Sequence, residues 1–567
     1  MIKKLNKKEC IVYLLVVLTV VLTTNFTNLK WGLGGYIEDL VYHMLRIESV
    51  KDALLAWEYP ARVNSIYFGG YGYGSSLFYP DIFLIPPAIF RIMGFSPVVS
   101  WKLYVLILAA LSATTTYFSF RYIIQNRNYA VAGTLLLTLS QFYIADIIQR
   151  AGISQYTACI FLPVLVAGIY DFIECEGKRV CLIGIAFVGM VLSHTIMTVI
   201  GLVIICIAFL CALLTPTGRK NMLQKDKLLS LLGTAVLSVL AVSYYIFPML
   251  EQMLSGEFGY MEPWAKIGDY TQPFSQFFNP VGTFENISHV GIGIPILILL
   301  GCRMIFGKPG RRWTDFFLFG GILIFISSTD IVPWEIFNDT FLNILQFTFR
   351  LHPYGLCFLV VGLMMYFAEK CEYNQKKAVV YIAIITIGFG TWQNLVVCDT
   401  ANDPRKPVGE ETLAEYTYYV GKGEWLPVGV PDEVRYGEAR NDVLCSHTEI
   451  PFMQVGYNTY SFSKEDRIQA EYVLPLIYYK GYVAELGSAD GGQTKLEVTR
   501  SPEGLTRVEV PEGFAGTIEI RYNGTLVQTF SNVISVLTIL SLVAVYFIRK
   551  RRIKKNKTNG KISVIRG

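Results

Sequence analysis

The stretch VCLIGIAFVGMVLSHTIMTVIGLVIICIAFLCALL, residues 180–214, contains no charged residue. A membrane-spanning helix needs about 17–25 mostly apolar residues, so this run is long for one helix and short for two. Ser193, His194 and Thr195 stand at its middle, where a tight turn fits. The choice decides the fold, because one helix in place of two inverts every later segment. The basic residues arbitrate, since cytoplasmic connections are enriched in Lys and Arg. With two helices and the N-terminus inside, seven segments fall on the cytoplasmic side: Lys3 to Lys8, Arg121 to Arg127, Lys178-Arg179, Arg219 to Lys227, Lys308 to Arg312, Lys370 to Lys377 and Arg549 to Lys557. All of them carry Lys or Arg. With one helix, Arg219 to Lys227 and Arg549 to Lys557 face opposite sides.

Outward from this run, apolar spans begin near residues 10, 97, 129, 155, 180, 199, 228, 289, 313, 351, 378 and 530. The expected fold class is an α-helical polytopic membrane protein of about twelve transmembrane helices, set in the plasma membrane with both termini cytoplasmic. Composition agrees. Of 567 residues, 53% are hydrophobic and 16% charged, against about 25% charged in soluble domains. The net charge of +5 is spread along the connections, a topology signal and not a nucleic-acid footprint, so no nucleic-acid partner is expected. Lys3, Lys4, Lys7 and Lys8 precede the apolar Ile11 to Leu22, but no small-residue cleavage site follows, which reads as an uncleaved first helix.

Three outer segments are long: 24–97, 251–289 and 399–528. The last is large enough for a domain. Leu496 to Val498, Arg507 to Val510 and Thr517 to Tyr522 alternate apolar and polar residues, and Pro502-Glu503-Gly504 and Pro511-Glu512-Gly513 punctuate them as turns. The division expected is a transmembrane domain over 1–397, a β-rich extracytoplasmic domain over 398–528, and a last helix with a basic tail over 529–567. Most of the eleven cysteines lie in apolar runs. Cys398 and Cys445 fall in the outer domain, and whether they pair is left open. There is no zinc-ligand spacing and no Gly-Lys-Ser/Thr phosphate loop. No cofactor is expected, with a divalent metal left open.

The first outer segment holds the residues most suited to chemistry. Asp39, Tyr42, His43 and Arg46 are spaced to form one face of a helix, and Leu40, Met44 and Ile47 another. Such a helix is expected to lie on the membrane surface with its apolar side in lipid. Its polar face then either is merely solvated or brings a carboxylate, an imidazole, a phenol and a guanidinium together. Alternating Gly and Tyr over Gly69 to Gly74, including Tyr73, suits either sugars or the membrane interface. Arg150, four residues after Asp146, and Arg350 both stand at outer helix ends, against the positive-inside trend. There an arginine binds an anion such as a lipid phosphate, snorkels, or pairs with a neighbour such as Asp146. His194 and His352 fall at predicted outer helix ends too.

These segments, together with Glu424-Trp425-Leu426-Pro427 and Leu474 to Tyr482, resemble in order a bacterial family labelled 6-pyruvoyl-tetrahydropterin-synthase-related membrane proteins. It is similar to YfhO-like proteins and, more broadly, to GT-C glycosyltransferases. The resemblance implies a GT-C-like fold and transfer of a sugar from a polyprenyl-phosphate donor to an envelope glycan or lipid acceptor on the outer face. It implies an acidic residue in the first outer loop, here Asp39 with Glu38 beside it, acting as general base of an inverting reaction. Arg150, Arg350 and Arg46 would hold phosphate, and Tyr73, His43, Asp146, His194 and His352 would line the substrate site. Two departures stand out. Related sequences often carry Glu where this chain has Gln155, and Gln-Phe-Pro-Trp-Arg is common where this chain has Gln346-Phe347-Thr348-Phe349-Arg350. The alternatives are a non-catalytic transporter or assembly subunit with the same fold, and a membrane-anchored protein whose outer domain binds glycan.

Overall fold

The computed structural model describes residues 6–30, 39–261, 265–279, 290–306, 309–310, 312–371, 374–401, 408–417, 421, 423–436, 440–487 and 492–565. Among them, seven helices are long and apolar enough to cross a membrane. Two further pairs meet that test as bent spans: Arg127–Thr138 with Gln141–Gln149, and Lys225–Ala241 with Ser243–Met253. By length and composition the count is therefore seven to nine and not twelve. At the three remaining expected places stand shorter apolar helices, Cys181–Val191, Ile294–Phe306 and Arg312–Ser327. The 180–214 run breaks at Leu192 to His194, where the His194 imidazole caps the helix Thr195–Leu213.

The helices start and finish at alternating ends of one bundle. At one end Glu9 meets Arg121, Asn126 meets Gln375, Arg179 meets Asp171, Trp313 meets Glu174 and Thr314 meets Glu369. At the other, Thr27 meets Asn394, Gln272 meets His352, and Tyr245 reaches the Phe78 carbonyl. This second end carries the long connections. Polar pairing at both ends and an apolar waist follow from the cost of leaving a polar group without a partner in hydrocarbon.

The first long connection is built around α2 (Leu40–Leu55). The structure corrects the expectation of a helix lying in lipid. Leu40, Met44, Ile47 and Val50 are buried in protein, and so are His43 and Arg46 on the opposite side. The 3–4 spacing identifies two faces but not what covers them. Here the helix Ile85–Ile92 and the bundle cover both, and the exposed apolar side chains of this connection fall at the end of α2 and beyond it, on Leu55, Trp57, Ile66, Ile89, Ile92, Met93 and Phe95.

The C-terminal unit is an antiparallel sheet of seven strands in the order β1-β2-β7-β4-β5-β6-β3. The strands are β1 (Met453–Gly456), β2 (Thr459–Lys464), β3 (Ala470–Ile477), β4 (Tyr482–Gly487), β5 (Gln493–Arg500), β6 (Leu505–Val510) and β7 (Gly516–Tyr522). Alternation does what a half-buried strand requires: Ile518 and Ile520 of β7 enter the sheet core while Glu519 and Arg521 face out. The sheet is fastened to the first connection. Ile477 N–H donates to the Tyr71 carbonyl at 2.9 Å and Arg440 N–H to that of Gly69 at 2.8 Å. Gly74 lies against the Tyr479 ring, where a Cβ would come within 2.7 Å of it, so only glycine fits. The Cys398 side chain lies outside the described residues, and with it any pairing to Cys445.

Candidate functional site

Asp39 is the N-cap residue of α2, yet its side chain caps nothing. Its N–H donates to the Arg150 carbonyl at 2.9 Å, and its carboxylate turns to Arg150 Nε at 3.1 Å. An aspartate at this position normally satisfies the free N–H groups of the first turn, so the site diverts it. Three aspartates stand in this region. The Asp39 side chain keeps 34% of its exposure, against 6% for Asp81 and 1% for Asp146. Of these three, Asp39 is the most exposed. Glu38 lies outside the described residues.

About two turns into α2, Arg46 is buried with all five N–H groups engaged. Nε and Nη2 serve Asp81, Nη2 also reaches the Pro80 carbonyl at 2.7 Å, and Nη1 contacts Ser154 Oγ at 3.1 Å and His43 Nδ1 at 3.2 Å. The Tyr79 ring covers it at 4.2 Å. A guanidinium so saturated has no donor left for a phosphate, which corrects its expected role: Arg46 fixes the loop and does not face a ligand. It also fixes the imidazole, whose Nδ1 must accept. Burial, then the cationic neighbours Arg46 and Arg150, hold His43 well below the usual imidazole range, so it is neutral.

Arg150 follows a turn of π-helix over Ala145–Gln149, an insertion that rotates the chain within a span. Its guanidinium meets Asp39, Gln155 Oε1 at 2.7 Å and Asp146 at 3.7 Å. Gly152 is required here, since a Cβ would stand 2.7 Å from Asp146 Oδ1. Phe349 carries Arg150 on its ring at 5.2 Å, which brings the next residue, Arg350, to the same place.

Arg350 is 4% exposed. Its Nη1 donates to the Leu345 carbonyl at 2.6 Å and Gln346 Oε1 at 3.0 Å, both neutral acceptors wrapped around it by the left-handed Gln346 (φ +57°). Its Nε has no partner, and among the described residues no carboxylate lies within ion-pair distance. Tyr42 Oη, Gln155 Nε2 and Thr348 Oγ1 are also buried without partners. Buried polar atoms are almost always satisfied. Thr348 Oγ1 lies two residues before Arg350, and Gln155 Nε2 belongs to the side chain that Arg150 holds, so unpartnered polar atoms occur at both arginines.

The other expected residues divide. His194 joins the cluster, edge-on to Tyr79 at 5.8 Å. Tyr73 does not face it. It is fully buried, and its Oη accepts the Trp425 N–H at 3.2 Å. His352 is separate, stacked on Phe325 at 4.5 Å with Gln272 on its Nε2 at 3.0 Å. These two placements correct their expected roles at the substrate. Sequence reasoning passed over Asp81, Tyr79 and Ser154 as site residues. A signal existed: Asp81 between Pro80 and Ile82-Phe83-Leu84 is a lone carboxylate in apolar sequence, which cannot be buried without a cation. Among the described residues no three His, Cys, Asp or Glu side chains group as metal ligands.

A helical bundle that can cross a membrane, with a cluster of buried charged and polar side chains at the end bearing its long connections and a sheet fastened to that end, defines an integral membrane protein. The chain belongs to the family of bacterial membrane protein YfhO, whose model matches residues 67–401, more than half its length. Nothing in that match carries the pterin-synthase-related label. A protein of Lactococcus lactis subsp. cremoris (strain MG1363), described as uncharacterized, is 21% identical over 98% of both chains. The arabinofuranosyltransferase AftD from Mycobacteria, solved by single-particle cryo-EM, is similar over 69% of this chain at 13% identity and TM-score 0.39. The chain spans 27% of AftD.

Proposed function

We propose that this protein is a GT-C-type glycosyltransferase that moves a sugar from a polyprenyl-phosphate donor to a cell-envelope acceptor. The observation that carries the reading is Arg350, a buried cation without an ion-pair contact among the described residues, beside Arg150 and the partly exposed Asp39. Burying an unpaired charge costs several kcal/mol or more, roughly, so such a group is kept where a ligand supplies the countercharge. The donor phosphate is that ligand, held by Arg350 and Arg150. Arg150 now holds Asp39. When it turns to phosphate, the Asp39 carboxylate is released toward the acceptor. The acceptor oxygen then bonds to the sugar anomeric carbon from the face opposite the phosphate. Its proton passes to Asp39, and the bond between that carbon and the phosphate oxygen breaks to leave polyprenyl phosphate. The single displacement inverts the centre. Twelve crossings, with the three short apolar helices completing the count, both termini cytoplasmic and the 399–528 segment outside, belong to this reading.

One observation favours the non-catalytic alternative: Asp39 is already ion-paired, and Gln155 stands where a second carboxylate is common in the resembled family. The deciding experiment is mass analysis of envelope glycans and lipid-linked sugars in cells with and without the gene. A transferase changes a glycan and accumulates its donor. A transporter or assembly subunit also changes glycan on deletion, but an Asp39→Asn chain then restores the glycan, whereas for a transferase it does not.

A further inference from the structure

Against the start of α2 lies a short segment from far along the chain, Gly421 and Gly423 to Pro427, held from several directions. The Trp425 N–H donates to Tyr73 Oη, and Tyr479 Oη donates to the Trp425 carbonyl at 3.0 Å. Pro427 bridges to Phe258, and Gly259 N–H donates to the Leu426 carbonyl at 3.0 Å. A Cβ on Gly421 would meet the Tyr42 ring at 3.9 Å. The segment is thus seated on the N-terminal turn of α2, next to Asp39.

Two side chains from this rigid cover stay half-buried, Glu424 and Trp425. The indole ends an aromatic floor: Trp425 lies 5.8 Å from Tyr79, and Tyr79 lies over Arg46 and against His194. Phe78 stacks parallel to the indole at 6.3 Å. Glu424 precedes Trp425 in this held segment and is half-buried beside it. Held backbones and partly open side chains suit binding, because a rigid platform loses little freedom when a ligand arrives. An indole face takes the apolar C–H side of a sugar ring, and a carboxylate beside it accepts the ring's hydroxyl protons. A carboxylate does not favour a phosphate, so the occupant here is the uncharged sugar partner.

We propose that Glu424 and Trp425 form the acceptor-sugar subsite, opposite the arginines that take the donor phosphate. The proposal rests on the transferase reading above. Trp425 orients the acceptor ring, and Glu424 orients its hydroxyls so that the attacking one meets Asp39. Both are binding residues that touch substrate, and neither takes the proton.

The test uses the full chain, expressed in a deletion strain, with two readouts. Envelope glycan product is measured by mass spectrometry, and undecaprenyl phosphate retained by the purified protein in nanodiscs is the probe for the donor side. Trp425→Ala and Glu424→Gln should lower product about 10- to 100-fold, the scale of a misplaced reactant, while retaining undecaprenyl phosphate as the parent does. Trp425→Phe should keep product within about threefold, because an aromatic face remains. Arg350→Ala should lose the retained lipid phosphate. If Trp425→Ala and Glu424→Gln transfer like the parent, or if they lose lipid phosphate as Arg350→Ala does, the subsite is wrong. Should Trp425→Ala fail to fold, Glu424→Gln and Trp425→Phe decide on the same criteria. If deletion itself changes no glycan, the transferase reading falls and the subsite with it.

Discussion

Replacing Arg350 by Met should push binding and stability in opposite directions. Met keeps much of the side-chain volume and removes the charge. In the ligand-free protein it relieves a buried guanidinium without an ion-pair contact among the described residues. The acceptors it abandons, the Leu345 carbonyl and Gln346 Oε1, belong to half-buried residues that water can reach. Swapping buried ionic groups for apolar ones of similar volume is neutral to stabilising, by about 1–4 kcal/mol. Binding of a lipid phosphate, by contrast, loses charge-assisted hydrogen bonds worth about 2–3 kcal/mol, or roughly 30- to 150-fold in affinity. The assay is thermal unfolding of the nanodisc-reconstituted chain without ligand, paired with native mass spectrometry of undecaprenyl phosphate binding. If Arg350→Met unfolds far more easily and binds as the parent does, Arg350 is a structural residue. Arg350 then serves the fold and holds no lipid phosphate.

Asp39→Asn should lower turnover by about 10²–10⁴, the usual worth of a general base, with lipid-phosphate retention unchanged; equal turnover removes Asp39 from the chemistry. Asp81→Asn leaves the Arg46 charge in a buried site and should cost about 3–5 kcal/mol, read as a lower unfolding midpoint in detergent. Acid should destabilise the fold through His43. The native state holds it neutral, whereas the unfolded chain binds a proton below pH about 6.5, so stability falls as pH drops beneath that value. A His43→Gln chain should show a flatter acid limb in pH-dependent unfolding, and an unchanged limb means the imidazole is not responsible. Reporter fusions at residues 223 and 440 should report opposite sides of the membrane; agreement between them contradicts alternate crossing.

Much of the bundle could be read from sequence because lipid imposes a coarse rule, and apolar runs broken by basic clusters reveal it. The break at His194 and the strand–turn alternation from Gln493 to Tyr522 follow from such local patterns. The medium around α2 could not be read. Leu40 and Met44 look the same whether lipid or protein covers them, and the covering elements come from distant sequence. The site divides similarly. Arg150 and Arg350 stood out by position, since a cation at an outer helix end breaks a trend. The roles of Arg46, Tyr73 and His352 depend on which partners saturate them, and Asp81, Trp425 and Phe325 are fixed only by the fold.

The span between partners has a consequence for biosynthesis. Tyr73 and Trp425, which together hold the cover over Asp39, are 352 residues apart, and Arg62 in the first connection donates to Asn532 across 470 residues. Chain emerges from the ribosome at about 5–20 residues per second. The first connection, with its buried arginine and polar atoms, therefore waits many seconds beside the membrane before its cover is made. During that interval α2 lacks part of its packing, and Arg46 depends on Asp81 within the same connection. Quality-control proteases and chaperones meet a nascent chain whose reactive surface is open. Closure falls late in synthesis, after residues from beyond 420 have been made, so a truncated chain inserts its helices yet never gains the cover over Asp39.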